Sequence, residues 1–146
     1  MSKLKFSIKL PAQTRKMLEL ATDYEHFQNY MPQQIKSIKI IKKVDHDTIT
    51  EEVLTFTSVL KKEIKQQTKH SIDVNEIHSK IITGPFKNSV IDVLFEKFDD
   101  GTQIHVTADL RIPMKYKIAS LIIKKSYKIF LTSILYKMNA EALESS

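Results

Sequence analysis

From Lys3 to Leu10 polar and apolar residues alternate, so that Leu4, Phe6, Ile8 and Leu10 share one face until Pro11 ends the run. That period of two predicts a half-buried strand. Residues 12–21 and 23–30 read as two short helices: Pro11 can open the first, and Thr22 or Asp23 can cap the second before Pro32 closes it. From Gln34 to Leu110 no helical period persists. Alternating, β-branched runs at 35–44, 48–58, 62–74 and 76–83 predict four further strands, and a hairpin after them adds two more. Beyond Pro113, the residues Tyr116, Ala119, Ile123, Tyr127, Phe130 and Ile134 recur at spacings of three and four. This spacing predicts an amphipathic helix of about seven or eight turns, with Lys117, Lys124 and Lys128 on another side.

The chain has only two glycines, and both fall at the hairpin. Gly84 precedes Pro85 and Gly101 follows Asp99 and Asp100, so Ile82 to Val106 reads as turn, strand, tight turn, strand. A two-residue Asp100-Gly101 loop would set Phe95 against Val106, Val93 against Ala108 and Ile91 against Leu110. These six apolar residues then form one inner face. Asp92, Glu96, His105, Thr107 and Asp109 form the wet one. Both glycines are expected to supply unusual backbone angles at corners of a curled sheet.

With 146 residues the chain is expected to form one domain over 1–146, large enough for a sizeable core or for a core with a hole in it. It has no cysteine, which excludes disulfides and thiolate chemistry and allows a reducing cytoplasm. The start, MSKLKFSIKL, has no continuous apolar run, so no signal peptide is expected, and no stretch approaches the ~20 apolar residues of a membrane span. A soluble cytoplasmic protein is the expectation. The net charge is +6, and its distribution says more than its total. Between Asp109 and Glu141 there is no acidic residue, while Arg111, Lys115, Lys117, Lys124, Lys125, Lys128 and Lys137 all lie there. Such a cationic element is either a solvated helix surface or a docking face, formed by Lys117, Lys124 and Lys128, for an anionic membrane or for nucleic acid.

Strand, two short helices, six antiparallel strands and one long helix is a specific order. It resembles the START and birch-pollen-allergen superfamily, and within it the polyketide cyclase and coenzyme Q-binding family. Two stretches carry the resemblance. In ATDYEHFQNYMP, the residues Asp23, Phe27, Tyr30, Met31 and Pro32 match an acidic, aromatic, aromatic, hydrophobic, proline pattern, and TGPFKN matches a Gly-Pro-Phe-Lys turn. The resemblance implies an α+β helix-grip fold, in which a strongly curved seven-stranded antiparallel sheet wraps the C-terminal helix and leaves a hydrophobic cavity. It also implies a lipid or polyprenyl quinone-like ligand, with two alternatives: a cyclase-like enzyme, or a protein that associates with ribosomal RNA through its basic helix.

The residues offer little overt chemistry. His26, His46, His70, His78 and His105 have no metal-ligand spacing, and no cofactor, metal or catalytic constellation is expected. One series differs from its surroundings. Ile64, Gln66, Thr68, His70 and Ile72 share a strand face with apolar ends and a polar middle, which either presents donors and acceptors to a cavity or faces solvent and internal partners. The turn at Ser58 to Lys62 can pair in more than one way, which leaves the facing of Leu54 and Phe56 open. The expected ligand-binding set is Phe56, Gln66, Thr68, His70, Ile81, Ile91, Val93, Phe95, Val106, Ala108, Leu110, Ile123, Tyr127 and Phe130. Binding of a hydrophobic small molecule fits this set best.

Overall fold

The computed structural model describes residues 2–56 and 60–145. The chain runs through β1 (Ser2–Leu10), α1 (Thr14–Ala21), a 3₁₀ turn (Tyr24–His26), α2 (Phe27–Tyr30) and β2 (Ile35–Val44). Five strands follow: β3 (Asp47–Phe56), β4 (Leu60–Asp73), β5 (Glu76–Thr83), β6 (Val90–Phe98) and β7 (Gly101–Leu110). A second 3₁₀ turn (Met114–Ala119) then leads into α3 (Ser120–Glu144). The seven strands form one antiparallel sheet in the order β1-β7-β6-β5-β4-β3-β2, so α1 and α2 carry the chain from one edge of the sheet to the other. Sequence alternation had marked each strand to within a few residues. The connection expected at Ser58 to Lys62 lies in part outside the described residues.

Register shifts bend the sheet. They occur in β2 at Ile35/Ser37 and Ile40/Lys42, between β3 and β4 at Thr55/Phe56, and between β4 and β5 at Gln67/Thr68. Each extra residue increases the local twist, and the sheet curls until residues of β2 through β7 face α3 across one space.

The β6–β7 hairpin differs from the sequence expectation. Phe98 pairs with Gly101, which makes Asp99-Asp100 the loop and sets Phe95 against Ile104, Val93 against Val106 and Ile91 against Ala108. The slip is two residues, so every side chain keeps its predicted face. Asp99 takes the left-handed backbone (φ 51°) that had been assigned to Gly101. Gly101 is needed for a different reason: a Cβ there would lie 2.3 Å from the Leu10 carbonyl oxygen. Gly84 does have a positive φ, 104°, and a Cβ there would come within 2.9 Å of the Lys65 carbonyl.

The helices also begin differently. Helix α1 starts at Thr14 rather than residue 12 because the Ala12 backbone is already engaged: its N–H donates to Asn139 Oδ1 (3.0 Å) and its carbonyl accepts from Thr102 Oγ1 (2.7 Å). Neither Thr22 nor Asp23 caps the following turn; the Thr22 hydroxyl donates back to the Leu18 carbonyl at the end of α1. The far end of α3 is clasped to α2. Glu141 accepts hydrogen bonds from His26 (2.7 Å) and from the Tyr30 hydroxyl (3.0 Å), and Lys137 Nζ donates to the Tyr30 carbonyl (2.7 Å).

Helix α3 buries Ile123, Phe130, Ile134, Leu135, Met138 and Ala142 toward the sheet. Its outward side is not the lysine face that its spacing suggested. Leu121, Ile122, Ile129 and Tyr136 are exposed there among Lys125 and Lys128, whereas Lys124 is only partly exposed. The helix is apolar on more than one side, so it is not cleanly amphipathic.

Candidate functional site

A cavity of about 160 Å³ lies between the concave side of the sheet and α3. Its walls are largely aliphatic and aromatic. Val93, Phe95 and Val106 come from β6 and β7, Ile35 and Ile38 from β2, and Phe130, Ile134, Leu135 and Met138 from α3. Tyr24 and Phe27, from the segment after α1, close one end.

Of the residues singled out in the sequence, Gln66, Thr68, His70, Ile81, Ile91, Val93, Phe95, Val106, Tyr127 and Phe130 border this cavity. Phe56, Leu110 and Ile123 instead border a small adjoining hollow of about 20 Å³, whose wall shares Ile81 and Tyr127 with the main cavity. Ala108 is buried but borders neither space; its methyl group is shorter than the side chains of Ile91 and Val106, which do reach the cavity. Ile72, expected to end the inner series of β4, is 40% exposed, so that series stops at His70.

Three adjacent strands bring one polar patch to the cavity wall. Thr50 and Glu52 stand on β3, Gln66, Thr68 and His70 on β4, and Ser79 on β5; the register sets Glu52 opposite Gln66, Thr50 opposite Thr68 and His70 opposite Ser79. Glu52 is 7% exposed. Its Oε1 accepts from Gln66 Nε2 (3.1 Å) and Thr68 Oγ1 (2.5 Å), and its Oε2 accepts from Thr50 Oγ1 (2.5 Å). Burial pushes the Glu52 pKa up, and the three donated hydrogen bonds offset only part of that rise.

His70 continues the chain. Its Nε2 lies 2.9 Å from the Thr50 hydroxyl and its Nδ1 2.7 Å from the Ser79 hydroxyl. Thr50 has already donated its proton to Glu52, so His70 Nε2–H donates to Thr50 while Ser79 donates to Nδ1. Desolvation depresses the His70 pKa to about 4, which keeps this neutral tautomer at neutral pH. Protonation of Glu52 on Oε2 would reverse the bonds from Glu52 to Thr50, Thr50 to His70 and His70 to Ser79 in turn. The patch is thus a connected path from a buried carboxyl to a serine hydroxyl, able to hold or relay a proton.

Two tyrosines complete the polar end. Tyr24 stacks on His70 with ring centroids 4.2 Å apart, and its hydroxyl is buried with no hydrogen-bond partner among the described residues. Desolvation pushes its pKa up to about 12. Across the cavity, Tyr127 is partly buried as a residue but its hydroxyl lies deep, where burial and then the Glu52 charge raise its pKa.

Sequence reasoning missed Thr50, Glu52, Tyr24 and Ser79. A signal for Glu52 was present, because a period of two counted back from Leu54 puts Glu52, Thr50 and Thr48 on one face, and the structure buries all four. Ile49 and Val53 alternate out of phase with them and masked the pattern.

No protein-family model matches the sequence, and no curated protein matches it either. The architecture, by contrast, has many solved counterparts. A Thermus thermophilus protein superposes with a TM-score of 0.84 at 17% identity, over 99% of both chains. The Zhui aromatase/cyclase from Streptomyces sp. R1128 superposes with a TM-score of 0.80 at 12% identity, over 97% of this chain and 93% of its own. A START superfamily protein from Mycobacterium smegmatis gives 0.75 at 13%, over 99% of both chains. The fold is the helix grip. At these identities the likeness establishes that architecture, and the chemistry has to be read from the site itself.

Proposed function

We propose that this protein binds a small hydrophobic molecule in the cavity between the sheet and α3. The observation that carries the reading is an apolar space closed at one end by a connected polar patch, with the Tyr24 hydroxyl left unpaired beside it among the described residues. Ligand pockets generally have this character: apolar walls supply affinity and a few polar groups fix orientation. The volume narrows the class of ligand. A space of about 150 Å³ takes a molecule the size of benzene, so the ligand is a compact single ring or a ring-sized head group rather than a whole lipid or polyprenyl chain. That size also argues against a polycyclic polyketide and hence against a cyclase. Titration with toluene, followed by the methyl NMR signals of Ile134, Leu135 and Met138, should give saturable shifts. Val93→Phe, which fills the space, should abolish them.

A second element of the reading concerns where the ligand is exchanged. Met114, Ile118 and Leu121 are exposed at 80%, 103% and 79%, and they stand among Lys115, Lys117, Lys125 and Lys128. Apolar residues interleaved with lysines suit an anionic membrane surface, where the side chains enter the interface and the ammonium groups meet the head groups. RNA phosphates would leave Ile118 and Leu121 without a role, which favours membrane over ribosome. Within this surface Lys128 also lies over the Phe6 ring, 5.5 Å from its centroid. Co-sedimentation should show binding to phosphatidylglycerol vesicles but not to phosphatidylcholine vesicles. Loss of phosphatidylglycerol binding in Ile118→Glu/Leu121→Glu is the expected outcome, and retained binding would remove this element.

A further inference from the structure

The polar end of the cavity is built around a carboxyl group that accepts three hydrogen bonds and lacks a counter-ion. Glu52 is a buried carboxyl group, and among the described residues no lysine, arginine or protonated histidine pairs with it; the other charge acting on it is that of Glu51, which is of like sign. Its donors are also incomplete. A carboxylate offers about four lone-pair positions, and three are used, two on Oε1 and one on Oε2. One acceptor position on Oε2 therefore remains in a group that borders the cavity. The Tyr24 hydroxyl, 4% exposed as a residue and without a partner among the described residues, is a second polar group at the same end. His70 does not supply the missing cation: its two ring nitrogens face Thr50 and Ser79 rather than Glu52, and desolvation disfavours the charged ring.

We propose that Glu52 makes this cavity selective for a small amphiphile with a ring-sized apolar body and a protonated amine at its end. An ammonium group donates to the free position of Glu52 Oε2, and its positive charge favours the ionised carboxylate that accepts it. A neutral alcohol would fill the hydrogen bond but supply no counter-charge, and an anionic acid would add a second negative group beside the carboxyl. This inference rests on the cavity-binding reading above and assigns the chemistry of its ligand.

Four probes of one shape test it: toluene, benzyl alcohol, benzylamine and benzoate, each titrated by calorimetry and methyl NMR into the intact protein at neutral pH. Benzylamine is expected to bind about tenfold or more tightly than benzyl alcohol or toluene, and benzoate about tenfold more weakly than benzyl alcohol. In Glu52→Gln the preference for the amine over toluene should shrink to within about twofold, with the circular dichroism spectrum of the variant checking that it is folded. Should that variant fail to fold, the benzoate-to-benzylamine ratio in the native protein decides alone. Equal binding of benzylamine and benzyl alcohol, benzoate binding as tight as benzylamine, or an amine preference that survives in folded Glu52→Gln would each overturn the inference and leave the cavity reading standing. If toluene and all the others fail to bind, the cavity reading fails and the inference goes with it.

Discussion

The half-buried His70 and the buried Glu52 have pKa values shifted in opposite directions, and both shifts are readable in stability. The folded-state pKa of His70, about 4, lies below its ordinary 6.5. Its contribution is therefore present above pH 6.5 and is lost as pH falls toward 4, because the unfolded chain takes up a proton that the folded one refuses. The loss amounts to about 3 kcal/mol over that window. Urea unfolding at pH 7 and pH 4.5 should show it, and His70→Gln should flatten most of the dependence; an unchanged profile in the variant would contradict the assignment. For Glu52 the pKa is raised, so the sign reverses: its contribution is complete below 4.5 and declines as pH rises through the folded value. Glu52→Gln should accordingly compare better with the native protein at pH 8 than at pH 5. Val74 supplies an independent test. It sits in the β4–β5 turn at φ 56°, a left-handed conformation that a β-branched residue adopts only with strain, and it is 88% exposed. Val74→Asn should raise stability by about 1 kcal/mol in the same unfolding assay.

Among the elements, the close approach of β7 to the end of β1 is a feature no periodicity could reveal. Gly101 lies against the Leu10 carbonyl and Pro11, and Thr102 holds the Ala12 carbonyl that shapes the start of α1. Gly101→Ala should cost about 1–3 kcal/mol, since backbone rather than a flexible side chain must yield. The same substitution at a glycine chosen only for its turn angles would act through φ, and Gly101 has no positive φ to lose. A thermal shift close to zero would show that β1 can move away from the hairpin. Helix α3 poses the converse problem. Its inward residues were legible from their spacing, but its outward apolar residues were not, because a spacing pattern finds a face that repeats and does not report what else is exposed. Leu121, Ile122 and Ile129 came to light only once the sheet had covered the other side.

For the molecule as a whole, alternation along β1 to β7 and the long helical run made the architecture legible before any coordinates. Strand faces survive a register slip of two residues, so Ile91, Val93, Phe95 and Val106 reached the cavity although their expected pairing was wrong. The polar patch was half legible. Gln66, Thr68 and His70 stood out on one strand, whereas Thr50, Glu52 and Ser79 join them through pairing across β3, β4 and β5, which a single sequence leaves undetermined when the connecting turn is ambiguous. Tyr24 belongs to the patch through stacking over His70, a contact between residues distant in sequence. Between sheet and helix the fold leaves an accommodating apolar space rather than a filled core. Val93→Phe should stabilise the protein if it fills that space without strain, and otherwise leave it near native stability, whereas a solid core would lose about 1–3 kcal/mol through overpacking.

The most direct measurement is a crystal structure of the protein under xenon pressure, because xenon enters dry apolar cavities and reports its own position. A xenon atom should lie between Val93 and Val106 of the sheet and Leu135 of α3, with the surrounding side chains unmoved. A map with no xenon there, and with Tyr127 or Phe130 turned inward to occupy the space, would contradict the account.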